Sequence, residues 1–397
     1  MSLRGHRPDE AARLVDASHL AVPDDVPTLL AEFGGSMGAQ DVALYLVDYE
    51  QRVLVPVPGI SGMERGEVVI DATLAGRCYR TLDIQQTAPD EDHRRLWVPV
   101  LDGVERLGVL ELTFGAVDPD MDEVRAFAGV VGELVVTKQA YGDLFERVRR
   151  RQPMSVASEL AWQLLPPLTF GTDRLVISGV LAPVYDLGGD CFDYSVDARS
   201  ARIALFDAMG HSLEAGLLAS VAMAACRNSR REGADLAGSA EAIDRAIADQ
   251  FGPDRFVTAV LADLELASGR LRWAVAGHPP PLLLRDGRIV KTLIGDVTPP
   301  LGIGGAVVVS EEMLEPADRV LFFTDGVVEA RAADGEFFGV ERLVDLVSRT
   351  SAAAMPAPET MRRLLHAILD HQEGALQDDA TIVVVEWLGP ASELLKV

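Results

Sequence analysis

The sequence predicts a two-domain chain of the α/β (α+β) class: a small N-terminal α/β domain, a helical linker and a C-terminal αββα sandwich of antiparallel sheets. Three observations carry this. A length of 397 residues exceeds one typical core. Short β-like runs joined by hairpin turns recur in both halves, and a helical stretch between them ends at the breaker Pro166-Pro167. The expected layout is a tail over 1–25, the small domain over 26–118, the linker over 119–167 and the sandwich over 168–397.

In the first domain, strands are expected at Val42–Val47, Val53–Val57, Leu96–Leu101 and Leu107–Phe114, with a helix over Asp25–Ser36 to cover one face. The turn around Gly103 makes the last two strands a hairpin. In the linker, Val124, Phe127, Val131, Leu134, Tyr141, Phe145 and Val148 keep a 3-4 spacing interrupted only by Lys138. Such a stripe fits a parallel coiled coil that makes a homodimer, with Lys138 setting the register, or a helix packed on its own domain. The basic run Arg147–Arg151 and Pro153 end it, and a short helix, Ser155–Leu165, follows.

The C-terminal half predicts strands at Arg174–Leu181, Phe192–Val196, Arg202–Phe206, Phe256–Leu266, Arg270–Ala276, Leu282–Leu284, Val307–Val309, Val320–Phe323 and Ala380–Trp387. Helices are expected at Leu213–Arg231, Ala237–Gln250, Val340–Arg349 and Pro358–His371. Turns at Ser268-Gly269 and Asp286-Gly287 make neighbouring strands antiparallel, which favours two sheets between helices over a doubly wound parallel fold.

Composition narrows function. A formal net charge of −25 argues against nucleic acid and against an anionic membrane surface. No apolar run approaches the roughly 20 residues that span a bilayer, and the polar N-terminus lacks a secretory signal, so a cytoplasmic location is expected. Cys78, Cys191 and Cys226 stand far apart without a CxxC pair, as ordinary small apolar residues would.

The chemistry is expected where aspartates flank apolar strands: Gly188-Gly189-Asp190, Phe206-Asp207, Phe323-Thr324-Asp325-Gly326 and Asp378-Asp379-Ala380. Any one of these has an ordinary explanation as a strand end or Asp-Gly turn. Four together imply converging carboxylates, which repel unless cations neutralise them. Oxygen-only ligands favour hard ions, Mg²⁺ or Mn²⁺, and two such ions are a common apparatus for hydrolysing phosphoesters.

The order GGD…FD, LFDAMGH, AGHPPPLLLR, TPPLGI, FFTDGVVEA and DDATIVVV resembles the PPM-type Ser/Thr phosphatases of the SpoIIE/RsbU branch, over about Leu160 to Trp387. The resemblance implies metal ligation by Asp190, Asp207, the carbonyl of Ala208, Asp325 and Asp378, with Asp378 rather than Asp379 the ligand of the tandem pair. It implies supporting roles for Asp193, orienting metal-bound water, and for Asp379, Gly189 and Gly326. It also implies a substrate: the phosphoserine or phosphothreonine of a STAS-type anti-sigma-factor antagonist. In the N-terminal half, the VPV strand, turn and LGVLEL strand resemble GAF sensory domains, which implies regulation by an unknown ligand or partner. His211 and His278 read as capping or hydrogen-bonded support, with leaving-group protonation the other role open to them. Ser212 departs from the family's usual GHG, and Cys191 replaces an aromatic residue.

Two rivals are weighed. A GGDEF-type nucleotide cyclase would need Glu where Cys191 stands. A non-catalytic phosphoprotein-binding module would not need its four aspartates intact.

Overall fold

The computed structural model describes residues 10–59, 65–87, 93–115, 118–186, 188–210, 213–296, 298–332, 334–352, 355–372 and 378–390. The chain divides into two compact units, Met1–Pro153 and Met154–Val397. Among the described residues no helix is long and apolar enough to cross a membrane.

The first unit comprises α1 (Glu10–Ser18), α2 (Val26–Ser36), β1 (Ala39–Val47), β2 (Val53–Pro56), β3 (Val68–Val69), α3 (Leu74–Thr81), β4 (Gln85–Gln86), β5 (Arg94–Asp102), β6 (Glu105–Phe114), α4 (Met121–Gln139) and α5 (Leu144–Arg149). Its antiparallel sheet has the order β3-β2-β1-β6-β5-β4. Successive side chains of a strand face opposite ways, and both faces of β6 are covered. Leu110 and Leu112 meet Leu30 and Phe33 of α2 and Val131 of α4, while Val109 packs among Ala75, Cys78 and Tyr79 of α3. Helices α1 and α3 and the two short strands β3 and β4 were not read from the sequence.

The linker differs from expectation. Val124, Phe127, Val131, Leu134, Phe145 and Val148 are buried in this unit's own core, and the chain breaks between Gln139 and Leu144 into two helices. The stripe read as a dimer seam is therefore occupied by the unit's own sheet, and a coiled coil would have to strip these residues from it. Asp120 starts α4 by accepting from the amides of Asp122 and Glu123, which satisfies two of the helix's free donors.

The second unit comprises α6 (Val156–Leu164), β7 (Thr169–Gly171), β8 (Leu175–Ala182), β9 (Asp190–Val196), β10 (Ser200–Ala208), α7 (Leu213–Arg231), α8 (Leu236–Phe251), β11 (Val257–Glu265), β12 (Arg270–Ala276), β13 (Leu282–Arg285), β14 (Arg288–Thr292), β15 (Ser310–Met313), β16 (Arg319–Phe323), α9 (Asp325–Val328), α10 (Gly339–Ala352), α11 (Ala357–His371) and β17 (Ala380–Trp387). Two antiparallel sheets, β15-β12-β11-β10-β9 and β14-β13-β16-β17-β8-β7, stack face to face. Ile177, Leu205, Val260, Phe322 and Val385 fill the space between them. Leu218, Ala222 and Met223 of α7 and Ile243 of α8 cover the outer face of the first sheet, and Leu343, Leu364 and Ile368 of α10 and α11 cover the second. This is the αββα sandwich.

The strand expected at Val307–Val309 falls instead at Ser310–Met313. Val308 and Val309 are 44% and 39% exposed, so the apolar trio buries too little to fix a strand, and the edge of the sheet is taken by the alternating residues after it. All three cysteines are buried thiols.

Candidate metal centre

Strand pairing brings the aspartates to one end of the sandwich. Asp190, the first residue of β9, lies directly opposite Asp207 near the end of β10. In the other sheet β16 runs beside β17, and the Thr324 amide donates to the Thr381 carbonyl at 3.0 Å, so Asp325 leaves one strand where Asp378 and Asp379 enter the next. The two sheets are then clasped together. Asp379 Oδ2 accepts three amides, from Gly188 at 2.8 Å, Gly189 at 2.6 Å and Asp190 at 3.2 Å. Thr324 Oγ1 donates to Asp190 Oδ2 at 2.7 Å and accepts the Thr381 amide at 2.9 Å.

The two glycines are demanded by close approach. A Cβ on Gly189 would stand 2.4 Å from the Ala208 carbonyl oxygen, and one on Gly326 would stand 1.9 Å from the Asp379 carbonyl oxygen. Gly326 lies in the first turn of α9, packed on the chain entering β17, rather than in a simple turn.

The carboxylates feel one another. Burial pushes Asp190 well above the usual carboxylate range, with Asp207 and Asp379 adding like charge. Asp207 is raised to about 7, by burial first and then by Asp325, Asp378 and Asp379. Burial and then Asp378 and Glu329 raise Asp325. Asp379 is raised to about 6 by burial, although its three amide donors hold it down. Exposure grades outward: Asp190 is buried, Asp207 half-buried, and Asp325 and Asp378 exposed.

This donor set fits a hard divalent cation. A positive charge between these side chains removes the repulsion that raises them. Among the described residues no three His, Cys, Asp or Glu side chains close on one point. At this end of the sandwich Asp325 and Asp378 are open to water, which suits Mg²⁺, an ion that binds through one or two carboxylates and keeps several waters.

Asp193 is not part of this site. It lies three residues along β9 from Asp190 and therefore on the opposite face, beside Cys191 and α7. Arg227 reaches its Oδ1 through Nε at 3.0 Å and Nη2 at 2.7 Å, and Arg230 Nη1 reaches Oδ2 at 2.7 Å. Both oxygens are committed to these guanidinium groups, which corrects the expectation that Asp193 orients metal-held water. His278 is a strut: its Nε2 meets the Phe323 carbonyl at 3.1 Å and its Nδ1 meets Thr258 Oγ1 at 2.8 Å. A carbonyl only accepts, so Nε2 carries the proton, while the single proton of Thr258 Oγ1 faces both Nδ1 and Asp207 Oδ2, the latter 3.4 Å away. His211 and Ser212 lie outside the described residues.

Residues 197–388 match the family model of stage II sporulation protein E, a span that holds Asp207, Asp325, Asp378 and Asp379 and begins after Asp190. Over that span the second unit is similar to the SpoIIE family. The chain is 23% identical over 239 residues to the phosphoserine phosphatase RsbU of Bacillus subtilis, covering 59% of this chain and 70% of that protein. It is 24% identical over 168 residues to the phosphoserine phosphatase RsbP of the same organism, covering 41% of each. The SiaA PP2C domain of Pseudomonas aeruginosa shares the fold, with a TM-score of 0.50 at 23% identity over 58% of this chain and 94% of that one.

One residue of this site, Thr324, escaped the sequence reading, since it carried no signal beyond preceding Asp325. Outside the site, Arg227 and Arg230 lie one turn apart on α7 and share a face, so a buried acidic partner was open to inference, although nothing in their spacing points to Asp193.

Proposed function

We propose that the SpoIIE-like domain hydrolyses phosphoserine or phosphothreonine on a protein with Mn²⁺ or Mg²⁺, and that its substrate is a STAS-type anti-sigma-factor antagonist. The observation that carries the reaction is the cross-sheet gathering of Asp190, Asp207, Asp325 and Asp378. The similarity to proteins named phosphoserine phosphatases supports the substrate class. Asp190, Asp207, the Ala208 carbonyl, Asp325 and Asp378 would hold two ions. Ions bound there supply an activated water nucleophile and offset charge on the phosphoryl oxygens. The protein's part is position. Thr324 fixes one carboxylate oxygen of Asp190, Asp379 fixes the backbone from which Asp190 projects, and the exposed Asp325 and Asp378 leave the site open to a phosphorylated loop.

The first unit, read as a GAF-like sensor, would set the activity of the second by favouring one arrangement of the site. The test uses the full chain and a phosphoserine peptide with Mn²⁺. Phosphate release that falls about a hundredfold or more in Asp207→Asn supports the reaction. Absence of release with any divalent metal opposes it and favours a binding module. Removal of residues 1–153 should change the rate, and identical kinetics would remove the sensor role.

A further inference from the structure

Lys138 interrupts the apolar stripe of α4, and among the described residues no anionic group pairs with its charge. The residue is 6% exposed, yet its ammonium makes no ion pair or hydrogen bond with a described residue. It faces the ring of Tyr141, 5.9 Å from the centroid. Buried lysines are rare unless paired, because removing an ammonium from water is costly. The last turn of α4 offers the negative end of the helix dipole, which offsets only part of that cost.

Lys138 lines a groove of about 540 Å³ formed by α1, the chain at 19–22 and α4. That volume lies within the roughly 300–1,000 Å³ typical of small-molecule sites. The apolar wall is Val15, Val22, Val130, Leu134 and Tyr141. Its rim is conspicuous: Tyr141 is 74% exposed, Val22 53% and Val15 43%, with Leu20 nearby at 96%. Exposed apolar surface gathered around a recess marks a binding surface.

We propose that this groove binds a small amphiphile with one carboxylate head, its acyl chain along the apolar wall and its head at Lys138 Nζ. One cation calls for one negative charge, and Glu133, which also lines the groove, would repel a phosphate dianion. The site lies wholly within the first unit and does not depend on the phosphatase reading, because its test reads binding.

The experiment is equilibrium dialysis of the full chain against sodium decanoate below its micellar range, with decanol as the uncharged control. Expected are one saturable site, binding at least about tenfold weaker in Lys138→Met, decanol binding at least about tenfold weaker than decanoate, and loss of binding in Val15→Trp, which fills the groove from an exposed position. Circular dichroism confirms folding, and if Lys138→Met does not fold, Val15→Trp decides. No saturable uptake, equal uptake by the variants, or equal binding of decanol overturns the proposal. So does a wild-type dimer in sedimentation that Val15→Trp dissociates without any decanoate uptake, since that assigns the groove to a second copy of the chain.

Discussion

The hydroxyl of Thr324 donates to Oδ2 of Asp190 across 2.7 Å, joining the end of β16 in one sheet to the start of β9 in the other. Thr324 Oγ1 also accepts the Thr381 amide at 2.9 Å, and Thr324 is fully buried. One side chain thus sets the orientation of a carboxylate whose own position comes from the opposite sheet.

Thr324→Val should therefore hurt twice. It leaves the Thr381 amide and Asp190 each short of a bond, a cost of about 1–3 kcal/mol in stability for a buried unsatisfied group. It also frees the Asp190 carboxylate to rotate, so the Mn²⁺ concentration for half-maximal phosphate release should rise about ten- to a hundredfold, the usual effect of losing a partner behind a ligand. Thr324→Ser keeps the hydroxyl and should stay near wild type. Equal metal dependence in the Val and Ser variants contradicts the assignment.

Asp193→Asn should separate stability from catalysis. Breaking a buried ion pair costs about 3–5 kcal/mol. Arg227 and Arg230 keep 23% and 18% side-chain exposure, so water softens the loss to on the order of 2 kcal/mol. Urea midpoints should fall accordingly while the rate per folded molecule stays within about twofold of wild type. A large loss of rate in fully folded protein would return Asp193 to the reaction.

Two glycines of α4 should respond with opposite signs. At Gly129 an added Cβ meets nothing within 4 Å, whereas at Gly132 it would stand 2.0 Å from the Leu101 carbonyl oxygen. Gly129→Ala should stabilise by about 0.5–1 kcal/mol through helix propensity, and Gly132→Ala should destabilise by more than that. Thermal melts of the two variants check the pair, and a stabilising Gly132→Ala would mean that α4 does not pack on β5 as described.

His278 gives a signed pH dependence. Burial lowers it to about 4 from an ordinary 6.5. Between those values the unfolded chain binds more protons than the folded one, so stability rises with pH. The contribution, on the order of 3 kcal/mol, is complete above about pH 6.5 and is lost as pH falls through 4. The buried carboxylates of the site titrate with the opposite sign, so the measurement is the difference between wild type and His278→Gln. Their urea midpoints should converge as pH falls from 7 to 4.5, and parallel curves would refute the neutral, Nε2-protonated strut.

Much of this architecture was legible in the sequence. Helix α7 and strands β12 and β17 occupy the spans read from it, because an uninterrupted period bounded by turn or charged residues leaves one assignment. Helices α1 and α3 were missed because nine and eight residues make barely two turns, too short a stretch for an amphipathic period to stand out, and they hold their place through packing on α2, α4 and β5. The linker's stripe was legible as a stripe, but its partner was not, since a helix face has the same pattern against a sheet as against a second helix. The four site aspartates stood out by repetition. The role of Asp379 did not, because its three amide donors lie about 190 residues away. The face of Asp193 was available from strand parity alone, being an odd number of residues from Asp190.

We propose that Asp190, Asp207, Asp325 and Asp378 form one centre for divalent cations. Its most direct test is Mn²⁺ titration of the full chain, following free Mn²⁺ by electron paramagnetic resonance and comparing wild type with Asp207→Asn and Asp193→Asn. Two bound ions are expected in wild type and in Asp193→Asn, with at least one lost in Asp207→Asn. Equal uptake by wild type and Asp207→Asn, in protein that is folded, would contradict it.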